Sequence, residues 1–136
     1  MEVIAIVVAL ILVGLAGVVW GGKPPKAYAV RRCMGREWKA AFPETRKAEI
    51  RDFLLLFVQT FAFKDQYKLR FEPDDRILDV YNATSNQWGI DSMELETLSD
   101  ALKKHYEVDL HLVWHENLTL GELFSRVQQC ANERTG

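Results

Sequence analysis

The chain predicts an all-α protein: a small bundle of three to four helices, preceded by one N-terminal transmembrane helix. Three observations carry this. Apolar residues recur at helical spacing in three separate stretches. Two of those stretches open on helix-start signals, at Asp91 and at Thr119. Val3 to Trp20 is a run of 18 residues with no charged side chain. The predicted divisions are 1–20 as membrane helix, 21–42 as basic juxtamembrane linker and 43–136 as the helical domain.

As a helix the first run is roughly 27 Å long, close to the ~30 Å hydrocarbon core of a bilayer. A cleaved signal peptide is the rival reading. Such peptides begin with positive charge and end at a small-x-small site. Here the only charge ahead of the run is Glu2, and the run ends Val18-Val19-Trp20-Gly21-Gly22. Gly21-Gly22-Lys23-Pro24-Pro25 then breaks the helix.

Charge is segregated along the chain. Residues 21–42 hold six basic side chains and one acid, net +5, whereas 43–136 hold 11 basic and 17 acidic, net −6. A basic neck after an apolar span predicts a cytoplasmic C-terminal domain with the N-terminus outside. The neck suits anionic head groups. The acidic domain argues against nucleic acid, whose phosphates need the opposite sign.

Within the domain, Pro43 marks a boundary and Thr45 to Phe63 forms the first predicted helix. Ile50, Phe53, Leu54, Phe57, Val58 and Phe61 make one face of a 3.6-residue period. Lys64 to Ile90 reads as a long connection with scattered anchors, at most one helical turn at Ile77 to Tyr81, and a turn at Glu72-Pro73-Asp74-Asp75. The second helix starts at Asp91, with Glu94 at capping-box spacing and Met93, Leu95, Leu98, Ala101, Leu102 and Tyr106 as its apolar positions. Acids lead it and bases follow, the order a helix dipole favours. Glu107 to Trp114 alternates briefly and reads as an extended connector. Thr119-Leu120-Gly121-Glu122 caps the last helix, predicted through about Cys130, with Leu120, Leu123, Phe124 and Val127 inward.

Gly89-Ile90-Asp91-Ser92-Met93 opens the second helix, and Ala101-Leu102, Tyr106 and Glu107-Val108-Asp109-Leu110 follow without a gap. With Thr119 and Glu122 at the final helix, this order resembles the acyl carrier protein family over Thr45 to Gln129. The resemblance implies that Ser92 carries covalent phosphopantetheine taken from coenzyme A, flanked by Asp91 and Met93. It implies a carrier without catalytic activity of its own, which holds acyl or aminoacyl cargo as a thioester. Its partners would be a phosphopantetheinyl transferase and membrane-associated acyltransferases, ligases or synthases, as in lipid or fatty acid biosynthesis. Glu94, Glu96 and Asp100 would form the docking face. The chain departs from the family in the extra residues Val80 to Trp88, in Glu96 where an aliphatic is usual, and in Lys103-Lys104. These departures keep open a second reading, an unmodified carrier-like subunit of a membrane complex.

Other constellations point to little chemistry. His111 and His115 lack a carboxylate or cysteine cluster to complete a metal site, so they read as surface histidines. Cys33 and Cys130 give no disulfide framework.

Overall fold

The computed structural model describes residues 22–88 and 93–135. In order come α1 (Lys26–Ala29), α2 (Gly35–Ala41), α3 (Lys47–Thr60), a 3-10 helix (Asp65–Arg70), α4 (Ile77–Trp88), α5 (Met93–Tyr106), α6 (Leu110–Val113) and α7 (Leu120–Thr135). Among the described residues there is no strand, and isolated bridges join only Gly22 to Phe63 and Arg76 to Thr119. The protein is all-α. The apolar run at 1–20 lies outside the described residues, and among those described no helix is long and apolar enough to cross a membrane.

Helix α3 forms the spine. Ile50, Phe53, Leu54, Phe57 and Val58 are all buried, as their spacing predicts. It begins two residues later than Thr45 because Phe42 to Thr45 closes a turn first, with the Thr45 amide donating to the Phe42 carbonyl at 3.2 Å. It stops at Thr60. Ala62 then adopts a left-handed φ of 59°, the Phe63 amide donates to Val58 O at 2.8 Å and the Ala62 amide to Gln59 O at 3.1 Å. That pair of bonds satisfies carbonyls the helix end leaves open.

Residues 22–42 differ from the predicted linker: they are part of the folded body. Trp38 is fully buried, and its Nε1 donates to the Phe71 carbonyl at 2.8 Å. Its ring packs with Phe42, Phe53 and Phe124 at centroid distances of 6.0, 6.3 and 5.9 Å. Tyr28 stacks on Phe71 at 5.2 Å. The Gly22 amide donates to Ala62 O at 2.7 Å, the Lys64 amide to Gly22 O at 2.9 Å, and the Met34 amide to Leu69 O at 2.7 Å. Arg31 Nη1 reaches the buried Asp75 carboxylate at 2.7 Å, and Arg70 Nη1 donates back to the Arg31 carbonyl. The positive charges of this stretch mostly point outward, Tyr28, Met34, Trp38 and Phe42 pack inward, and Val30 is exposed.

The long connection also differs from expectation, since α4 fills 12 residues of it. Ile77 and Val80 are fully buried and Thr84 nearly so. Thr84 Oγ1 donates to the Val80 carbonyl at 2.8 Å, so its buried hydroxyl is satisfied within the helix. Two chain segments clasp beside it: the Ile77 amide donates to Leu118 O at 3.0 Å, Leu120 to Asp75 O at 2.9 Å and Gly121 to Pro73 O at 2.8 Å. The predicted extended connector instead contains the single turn α6, because Asp109 Oδ1 accepts from the His111 amide at 3.0 Å and caps it. Thr119 caps α7 as predicted, its Oγ1 accepting from the Glu122 amide at 3.1 Å. The helix continues past Cys130 to Thr135.

Candidate functional site

Ser92 and Asp91 lie outside the described residues. The structure describes what flanks them. Helix α4 ends at Trp88 and α5 opens at Met93, leaving four residues between the two helices. The extra residues Val80 to Trp88 are therefore helix rather than loop.

Packing fixes α5. Leu98 and Leu102 are fully buried, while Leu95 and Tyr106 are partly buried against the same core. The helix lies on α3 and α7. Glu94 and Glu96 fall in its first turn and Lys103, Lys104 and His105 in its last, an order that complements the helix dipole. Its first amides have no carbonyl within the helix to bond to, so its start favours an anion.

The three acids expected to form one exposed docking face separate. Glu96 and Asp100 are exposed, whereas Glu94 is only half exposed. Its Oε2 is shut off from solvent and has no hydrogen-bond partner among the described residues. Glu94 sits four residues before Leu98, on the edge of the helix that turns to the core. It lines a cavity of about 230 Å³ together with Gly22, Lys23, Phe61, Ala62, Phe63 and Thr84. The sequence placed Glu94 with the docking acids because the family resemblance makes the surface of this helix the docking face. The signal it missed was the proximity of Gly22 and Lys23, which only the docking of 22–42 creates.

No protein-family model, curated protein or solved structure matches this chain. The site therefore rests on its own residues.

Elsewhere the electrostatics are structural. Burial, then the nearby Asp75 carboxylate, push the Tyr28 phenol above its ordinary value. Burial, then Asp52 and Glu49, do the same to Tyr106. The Arg32 guanidinium holds the half-buried Glu37 carboxyl below the usual range. His115 Nε2 meets Glu122 Oε2 at 2.9 Å on the surface. Among the described residues no three His, Cys, Asp or Glu side chains cluster as metal ligands.

Proposed function

We propose that the chain is a membrane-tethered acyl or aminoacyl carrier, with phosphopantetheine on Ser92 holding its cargo as a thioester. The observation that carries this is the placement of Asp91-Ser92 directly before a 14-residue helix whose charges run from acid to base. A serine at such a place offers its hydroxyl to a transferase. The phosphate it would gain then meets the open amides and positive end of the helix. This chain would supply the attachment point and the docking charges, and the arm would supply the thiol. Glu96 and Asp100 offer exposed negative charge for a basic partner surface, which speeds encounter more than it deepens affinity. Residues 1–20 would anchor the carrier, with the domain on the cytoplasmic side.

A test is incubation with a broad-specificity phosphopantetheinyl transferase and coenzyme A, followed by intact mass. Wild type should gain one arm and Ser92→Ala none. An unmodified wild type, beside control carriers that are modified, would refute the proposal.

One observation favours a second reading, the unmodified assembly subunit. Glu94 is turned toward the core near the start of α5, so one of the three acids assigned to partner docking is largely withdrawn from the surface. Intact mass of the chain purified from its native host separates the two readings.

A further inference from the structure

A cleft between α2, the start of α3 and Leu69 has a chemistry that the carrier reading does not use. It encloses about 290 Å³, near the lower end of the roughly 300–1,000 Å³ of small-molecule pockets. Leu69 and Cys33 supply its apolar side, over the buried Ile50 and Trp38. Its polar side is Arg36, Lys39, Lys47 and Arg51, and no carboxylate lines it.

No carboxylate in the wall of the cleft neutralises the four cations, and outside the wall the Glu37 carboxylate feels the Arg36 charge. Lys39 Nζ donates to the Thr45 carbonyl at 2.8 Å, a contact that holds the ammonium in place without cancelling its charge. Among the described residues, Arg36, Lys47 and Arg51 make no ion pair. The acids closest in sequence are engaged with other cations, Glu37 with Arg32 and Glu49 with Arg46. A concave wall lined by one sign of charge concentrates the opposite ion. The apolar side of the same cleft has no use for a small inorganic anion. An occupant that satisfies both sides has an alkyl chain and an anionic head.

We propose that this cleft binds a monomeric anionic amphiphile. Its chain would lie against Leu69 and the alkyl stems of the surrounding cations, over Ile50 and Trp38, and its carboxylate or phosphate head among Arg36, Lys39, Lys47 and Arg51. Exposed Cys33 at the edge gives the readout.

The test uses the full-length chain with Cys130→Ser, in phosphatidylcholine nanodiscs, and follows alkylation of Cys33 by neutral iodoacetamide. Saturating decanoate or decyl phosphate should slow alkylation at least tenfold; decanol and inorganic phosphate should change it less than twofold. Lys47→Glu with Arg51→Glu should raise the half-protecting decanoate concentration at least tenfold, with helicity retained by circular dichroism because both positions are exposed. Equal protection by decanol, protection by phosphate alone, or indifference to the charge reversal would overturn the proposal. Nanodiscs doped with phosphatidylglycerol and free of decanoate separate the sources. Unprotected Cys33 there supports a monomeric ligand, and protection equal to that of decanoate overturns it in favour of bilayer lipid.

Discussion

Trp38 ties the first stretch of the domain to the rest through one hydrogen bond and two ring contacts, with Phe53 and Phe124. Trp38→Phe keeps most of the apolar contact but leaves the Phe71 carbonyl, in a fully buried setting, without that donor. An acceptor so stranded costs about 1–3 kcal/mol. Urea unfolding should show a loss in that range with an unchanged slope. A loss near zero would mean that residues 22–42 unfold separately. The raised phenols give a second expectation at this scale. Tyr28 and Tyr106 titrate near pH 10 when unfolded and above it when folded, so the native state keeps its protons longer. Their contribution is complete below about pH 10 and is lost as pH rises through the folded values. A stability profile across that range should fall, and Tyr106→Phe should flatten part of the fall.

Helices α3 and α7 were legible because their apolar faces are long and unbroken. Ile50 to Phe61 and Leu120 to Val127 repeat at helical spacing with cap or boundary signals beside them. Helix α4 was hidden by Asn82, Thr84, Ser85 and Asn86, residues of weak helix propensity; among its described side chains Ile77, Val80 and Thr84 are the buried ones. Helices α1 and α2 are four and seven residues long, too short to show a period, and six basic residues masked Tyr28, Met34 and Trp38. Of the candidate site, the start of α5 was readable from its charges, but the inward turn of Glu94 depends on contacts distant in sequence. Gly121 shows the same dependence. A Cβ there would stand 3.0 Å from both Cβ and O of Pro73, closer than side chains pack. Gly121→Ala gains about 1 kcal/mol of helix propensity. Overpacking costs about 1–3 kcal/mol and wins, since a proline ring and a backbone carbonyl cannot swing aside. Chemical denaturation should register a net loss of about 1 kcal/mol; a gain would show that the Pro73 turn yields.

At the scale of the whole molecule, the boundary of the cooperative unit lies before Gly22's contacts rather than at Pro43. A chain beginning at residue 22 should be helical with a sharp thermal transition. A chain beginning at residue 43 loses Trp38, Tyr28, Met34 and the Arg31–Asp75 pair, leaving Phe71, Phe124 and Asp75 uncovered. It should give a broad transition and bind a dye for exposed apolar surface. Matching transitions for the two truncations would show that the first stretch contributes nothing to folding.

The paired backbone bonds between Gly22 and the Ala62–Lys64 turn set a limit on reach. A flexible linker of the 22 residues from 21 to 42 would let its domain roam over roughly 26 Å, from about 5–6 Å times the square root of its length. Here the chain is clamped at residue 22 itself. If the proposed carrier is anchored by residues 1–20, a mooring of this kind would make it less like a buoy on a line than like a post at the bilayer surface. Under that proposal its partners would have to bring their active sites within a fixed height of the membrane, and lengthening the chain between residues 20 and 22 should widen the set of enzymes it serves.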